Sequence, residues 1–306
     1  MYDIIGDVHG YASLLKKLLI QLGYRKSESG YTHPTRKAVF VGDFINRGPE
    51  IRKTIRIIRK MVENGNALAT IGNHEIYAII YSLKEKDGSP LVKSPRKNFL
   101  SLYKTLNQFS SYPEDWKSHL KWMRELPVYL DLGPVRVVHA CWSDKAINIL
   151  DKAKESGLSN KRIYRKVYKK PKSDISLSVI TLTKGIDFDI PPDLKVINNK
   201  GIAPRTFRMR WWENPRGKTF EAVSFESKFQ LPQYDIPAQI APQVEAYPEK
   251  APIVFFGHYC RPLGPYIIKP NLCCVDSCVA GTKTLTAYQW QGENELDFNN
   301  LIQVSR

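Results

Sequence analysis

The sequence predicts an α/β fold whose core is a largely parallel sheet. Three observations carry this. Met1–Ile5, Lys37–Val41 and Ala67–Ile71 are short apolar runs of strand length. Each run ends in a glycine beside a polar residue: Gly6-Asp7, Gly42-Asp43 and Gly72-Asn73. A helical pattern follows the first two, with Leu14, Leu15, Leu18, Leu19 and Leu22 on one face, then Ile51, Ile55, Ile58 and Val62 on another. This βαβα rhythm implies right-handed crossovers, and ligands of such sheets gather beyond the carboxyl ends of the strands.

The remaining elements follow in order. Gly23 stops the first helix, and residues 24–36 are polar enough for a loop or small hairpin. Pro49 suits the first turn of the second helix. Residues 85–125 read as helical and polar, with a break around Asp87-Gly88-Ser89-Pro90. Pro127–Leu132 and Val135–Val138 form a hairpin across Gly133-Pro134, and its second strand ends at His139. Residues 143–250 change character. The run from Lys152 to Lys172 is strongly basic, and prolines cluster after it. This stretch is expected to be an insertion covering the site within one 1–306 domain, setting substrate choice rather than chemistry. Ala251–Phe256 restores the strand pattern and ends at Gly257-His258. Asn271–Ser277 and Thr284–Tyr288 are expected to close a second sheet.

Composition bounds the partners. The net charge is +16, which favours an anionic partner such as a nucleotide, nucleic acid or phosphoprotein, although a merely soluble basic surface has the same charge. No stretch approaches the ~20 apolar residues of a membrane span. Asp7 and His9 stand where a secretory leader would need apolar residues. The five cysteines are odd in number and lack zinc-like spacing, so they are expected to be reduced thiols in the cytoplasm.

Five strand ends carry Asp7 with His9, Asp43, Asn73 with His74, His139, and His258. Independent turns would not repeat this placement. Hard oxygens and imidazoles without thiolates suit two divalent cations: Mn²⁺ first, with Fe or Zn²⁺ as alternatives. The ordered series Gly-Asp-x-His-Gly, Gly-Asp-x-x-Asn-Arg-Gly, Gly-Asn-His-Glu, His and Gly-His resembles the calcineurin-like metallophosphoesterases. More narrowly it resembles the branch of serine/threonine protein phosphatases and bacterial dinucleoside-tetraphosphatase-like enzymes. Val275-Asp276-Ser277-Cys278 and the segment after it resemble that branch's closing segment.

The resemblance implies two mixed sheets packed as a sandwich, flanked by helices. It implies that Asp7, His9 and Asp43 hold one metal, and that Asp43 bridges to a second completed by Asn73, His139 and His258. A dimetal-bound hydroxide would then cleave a phosphomonoester or phosphoanhydride of a nucleotide, phosphoprotein or nucleic-acid end. Arg47 would clamp a phosphoryl oxygen and His74 would act as general acid. Arg210 and Arg216 are further candidates for phosphate contacts. Trp211 and Trp212 are read first as packing residues and second as base-stacking ones. One position departs from the family pattern: Asn46 stands where the family has an aspartate paired with the histidine at 74. It supports the alternative, a weakly active or non-catalytic metal- and phosphate-binding module. It also points to activated leaving groups as the better substrates.

Overall fold

The computed structural model describes residues 1–306 apart from 94–100, 193, 195, 197–203, 226–230, 243 and 265. Two compact units divide the chain: Met1–Lys184 with Pro252–Arg306, and Gly185–Ala251.

In the first unit, β1 (Tyr2–Ile5), β4 (Lys37–Phe40) and β5 (Ala67–Ala69) run parallel, in register Ile4↔Val39 and Val39↔Leu68. Between β1 and β4 stands the small hairpin of β2 (Arg25–Ser27) and β3 (Gly30–Thr32). A second sheet places β10 (Ile253–Phe256) between parallel β7 (Val135–Val138) and β12 (Leu272–Cys274). Antiparallel β6 (Tyr129–Asp131) and β11 (Ile267–Lys269) form its edges.

The closing strands do not share a sheet. β12 joins the second sheet, but β13 (Thr284–Trp290) lies antiparallel to β1 in the first, with β14 (Leu301–Ser305) outside it. The expectation for 284–288 is corrected on this point. β1 is the third strand of a five-stranded sheet and needs a partner on its second edge, and β13 supplies it.

The sheets face each other across a shared core. Ile4, Val39 and Val41 of the first meet Val135, Val137, Ile253 and Phe255 of the second. Each such side chain contributes about 1.5–3 kcal/mol on burial. This packing fixes both sets of strand ends as one rigid frame.

Helices flank the sandwich: α1 (Ala12–Gln21), α2 (Ile51–Glu63), α3 (Asn73–Ser82), α4 (Tyr103–Gln108) and α5 (Pro113–Glu125). In α2 the inner face holds Ile51, Ile55, Ile58 and Met61, while the expected Val62 is only half-buried. The helical expectation for 85–125 holds only from Tyr103 onward among described residues. Lys84 and Pro90 instead form a short bridge around the expected turn, and 94–100 lie outside the described residues.

The expected 143–250 insertion is divided differently. α6 (Asp144–Glu155), α7 (Asn160–Lys169) and α8 (Asp174–Lys184) belong to the first unit. Ser143 caps α6 by accepting from the Ala146 N–H at 3.3 Å, and Ile147 and Leu150 of that helix are buried. The Ala140 N–H donates to the Leu182 carbonyl of α8 at 2.9 Å, tying this helix to the end of β7. Part of the basic run is internally paired, since Arg165 and Lys169 reach Glu85 at 2.8 and 2.6 Å.

The second unit has its own core, Phe188, Phe207, Met209, Phe220 and Val223. They come from the hairpin of β8 (Asp187–Asp189) and β9 (Thr206–Arg208), the short α9 (Phe220–Val223) and adjoining loop.

Among the described residues no helix is long and apolar enough to cross a membrane. The cysteine expectation is corrected as well. Cys260 and Cys278 are joined in a disulfide, because the loops after β10 and β12 bring their Cα atoms to 4.9 Å, whereas Cys141, Cys273 and Cys274 are free and buried.

Candidate metal centre

Asp43 is the hub of the polar cluster at the strand ends. Its carboxylate lies 3.5 Å from His9 Nε2, 3.4 Å from His139 Nε2 and 3.8 Å from His74 Nε2, and accepts from the His74 N–H at 3.1 Å. His9, Asp43 and His74 bring ligand atoms within 4.8 Å of one another, and so do Asp43, His139 and His258. Asp7 sits beside them, its carboxylate accepting from the His258 N–H at 3.2 Å. Asn73 Oδ1 lies 3.2 Å from His139 Nε2. The structure therefore gathers Asp7, His9, Asp43, Asn73, His74, His139 and His258 from both sheets.

Backbone carbonyls orient two of the imidazoles. His9 Nδ1 lies 2.9 Å from the Ile45 carbonyl, and His139 Nδ1 lies 2.8 Å from that of Val41. A carbonyl only accepts, so each Nδ1 carries a proton and Nε2 is the nitrogen that faces the cluster. At His139 that nitrogen lies beside the Asp43 and Asn73 oxygens, so without a metal its proton satisfies them. A cation takes the place of that proton, and the hard-oxygen and imidazole donor set suits a divalent one.

Buried charge gives the same result. Burial and the charges of Asp276 and Asp43 hold the Asp7 carboxyl well above the usual carboxylate range. Burial lowers the His139 imidazole, but the Asp43 and Asp7 charges outweigh it and push it up to about 10. Burial chiefly lowers His9 to about 3, with the His74 and Arg47 charges adding to it. The cluster thus combines concentrated negative charge with one imidazole kept neutral as a ligand.

The backbone is contorted to present these groups. Seven non-glycine residues among those described have positive φ, and five of them are His9, Asp43, Asn46, Arg47 and His258. Each such residue costs of order ~1–3 kcal/mol, so their concentration here marks a functional site. Two glycines pack directly on carboxylates. A Cβ at Gly257 would lie 2.0 Å from Asp7 Oδ1, and one at Gly72 would lie 2.2 Å from Asp43 Oδ1.

His74 and Asn46 form a separate pair. Asn46 Nδ2 is 2.5 Å from His74 Nδ1, while Thr105 donates its hydroxyl to Asn46 Oδ1 at 2.6 Å and accepts from the Asn46 N–H at 3.1 Å. Thr105 thereby fixes the amide with its NH₂ towards the ring, which makes His74 Nδ1 an acceptor. The remaining proton sits on Nε2, facing the cluster. Burial lowers the pKa of this ring. Arg47 is exposed at the rim, and its charge acts on His9, His74 and Asp276.

Sequence reasoning assigned no role to three further residues. Glu75 accepts from the N–H groups of Gly72, Asp43, Phe44 and Ile45 at 3.0, 2.9, 2.9 and 3.2 Å. Its signal was present, because glutamate at the third position of a helix reaches back to the cap. Asp276 is buried near Asp7, and its own carboxylate accepts from the Cys278 N–H at 2.8 Å. Thr105 had no signal, since it reaches Asn46 across 59 residues.

Arg210 and Arg216 are exposed residues of the second unit. Trp211 and Trp212 are each 2% exposed and pack edge to face at 5.7 Å. They are core residues, which leaves no face for a base to stack on.

The family model for calcineurin-like phosphoesterase matches residues 2–262. The chain is 34% identical over 131 residues to the asymmetrical bis(5'-nucleosyl)-tetraphosphatase PrpE of Halalkalibacterium halodurans, covering 37% of this chain and 53% of that protein. It is 32% identical over 148 residues to the protein of the same name from Oceanobacillus iheyensis, covering 45% and 54%. The matches thus span about half the length of these curated relatives. Among solved structures, a cold-active protein-tyrosine phosphatase of a psychrophile Shewanella superposes with a TM-score of 0.52 at 17% identity, covering 99% of this chain and 76% of that one. A protein serine/threonine phosphatase from Saccharomyces cerevisiae gives 0.50 at 14% identity, covering 99% and 78%. At these identities the likeness is one of fold.

Proposed function

Because the chain belongs to the calcineurin-like phosphoesterase family, we propose that it is a metal-dependent phosphohydrolase acting on nucleotide phosphoanhydrides of the dinucleoside polyphosphate class. The observation that carries this is the gathering of Asp7, His9, Asn73, His139 and His258 about one buried carboxylate, Asp43. Asp7, His9 and Asp43 would hold one divalent cation; Asp43, Asn73, His139 and His258 would hold another, with Mn²⁺ first and Fe or Zn²⁺ as alternatives. When bound, such a pair supplies Lewis-acid polarisation of the phosphoryl oxygens and an activated water.

The chain's own residues do the rest. Arg47, exposed at the rim, binds a phosphoryl oxygen through its planar fork. His74 presents its Nε2 proton to the leaving oxygen, held in that orientation by Asn46 and Thr105. A neutral amide behind the ring does less than a carboxylate to stabilise an imidazolium. Leaving groups that need little protonation therefore suit this site, and a phosphoanhydride is one. The tetraphosphatase relatives support the same substrate class. The non-catalytic alternative rested on Asn46 alone, and that residue still hydrogen-bonds the ring. For location, the nucleotide substrate class is what supports the cytoplasm, since the Cys260–Cys278 disulfide removes the support of reduced thiols.

Mn²⁺-loaded protein tested on a dinucleoside tetraphosphate, an alkyl phosphate and a phosphopeptide is expected to show a kcat/KM at least about tenfold higher for the first, given the ~10²–10⁴-fold worth of general-acid help that the others need more. Turnover of none of the three would sink the reading.

A further inference from the structure

A pocket of 180 Å³ opens beside the metal centre within the first unit, between α3, α7 and α8. Asn73, at the start of α3, belongs both to the polar cluster and to the lining of this pocket. One turn and two turns further along the same helix stand Ile76, Tyr77 and Ile80. The facing walls hold Tyr168 of α7 with Val179 and Ile180 of α8. Thr183 and Lys184 provide the polar end of the lining. The Thr183 hydroxyl donates to the Val179 carbonyl at 2.7 Å, which leaves its oxygen as an acceptor.

The pocket's form restricts its occupant. Sites for whole drug-sized ligands measure ~300–1,000 Å³, so this one has room for a single ring system. Apolar walls with two tyrosines suit a flat aromatic group, and the acceptor at one end suits a ring edge that carries an N–H. Asn73 is common to both, so a phosphate held at the cluster has this opening within reach of its organic substituent. We propose that the pocket seats one nucleobase of the substrate while the adjoining phosphate occupies the metal centre. This rests on the phosphohydrolase reading above and adds to it the residues that select a nucleotide. It also leaves the second half of a dinucleotide outside, since the space holds only one base.

The test compares AMP with ribose 5-phosphate, which differ only by the base, as ligands of Mn²⁺-loaded protein, with p-nitrophenyl phosphate turnover measured in parallel. AMP is expected to bind at least about tenfold more tightly, the scale of one base stacked on an aromatic side chain. Ile180→Trp fills the pocket and Tyr168→Ala removes one wall. Each is expected to bring the ratio of the two affinities close to one, with ribose 5-phosphate binding unchanged. The ratio is internal to each variant, so a folding defect in one leaves the other to decide. Equal affinities in the unsubstituted protein, or a ratio preserved in a folded variant, overturns the proposal. So does a phosphotyrosine peptide that binds more tightly than AMP and loses that advantage in the same variants. Absence of p-nitrophenyl phosphate turnover with the AMP preference intact would strike the hydrolase reading and leave the base pocket standing.

Discussion

Asn46 sits between Thr105 and His74, and its amide decides which nitrogen of that ring carries the proton. An aspartate fits the same place: one oxygen can accept from Thr105 and the other from His74 Nδ1–H, with no change of backbone. Asn46→Asp is therefore expected to speed cleavage of alkyl phosphates by about tenfold or more over any gain for aryl phosphates, within the ~10²–10⁴-fold range of general-acid help. Equal responses of the two classes, measured as kcat, would remove leaving-group protonation from the account. Glu75 tests the frame rather than the chemistry. It binds four backbone N–H groups and its burial and the Asp43 charge push its carboxyl up to about 7. Glu75→Gln replaces one acceptor oxygen with a donor against those N–H groups. A ~10–100-fold loss of metal affinity is expected, the scale seen when groups behind metal ligands are changed, and calorimetric metal titration reads it. Motif residues at strand ends were legible because tight turns need glycine and cation sites need carboxylate and imidazole. Thr105 was not, since a threonine in a polar stretch looks like any surface residue until folding brings it to Asn46.

At the scale of elements, apolar periodicity located the strands β1, β4, β5, β7 and β10, and hence every strand end that carries the cluster. It put β13 in the wrong sheet, because an apolar seven-residue strand fits either one and pairing partners are non-local. Nor did it separate α6–α8 from the loops after them, since the basic run from Lys152 to Lys172 interrupts the apolar spacing that Ile147, Leu150 and Val179 carry. α5 carries a testable electrostatic feature. Asp115 binds Arg52 at 2.8 Å and Arg56 at 3.2 Å, and lies 3.2 Å from His119. Burial chiefly holds His119 down to about 4, with the Arg59 and Arg56 charges adding to it against Asp115. A free imidazole titrates near ~6.5, so between that pH and about 4 the unfolded chain takes a proton that the folded chain refuses. The stability tied to this neutral ring is whole above pH ~6.5 and is lost as pH falls towards 4. His119→Gln has no such titration. The stability gap between the unsubstituted protein and this variant, from urea unfolding, is expected to shrink from pH 7 to pH 4.5. A gap independent of pH would show that His119 is protonated in the folded state as easily as in the unfolded one.

Over the whole molecule, the net charge of +16 is consistent with an anionic substrate, but it did not locate the contacts. Arg165 and Lys169 of the basic run are occupied by Glu85, and Trp211 and Trp212 are buried. The pocket beside Asn73 joins a residue of a strand-end motif to α7 and α8, whose sequences carry no motif, so only the fold could reveal it. The two-sheet frame is what gathers these distant residues, and the central claim is that the gathered cluster works as a two-cation site. The most direct test follows turnover of a dinucleoside tetraphosphate as chelator-stripped protein is titrated with Mn²⁺. Turnover is expected to be negligible in stripped protein and to rise to a plateau at about two equivalents, the stoichiometry of a dimetal hydrolase. Full turnover by the stripped protein, or a plateau reached without metal uptake, would contradict it.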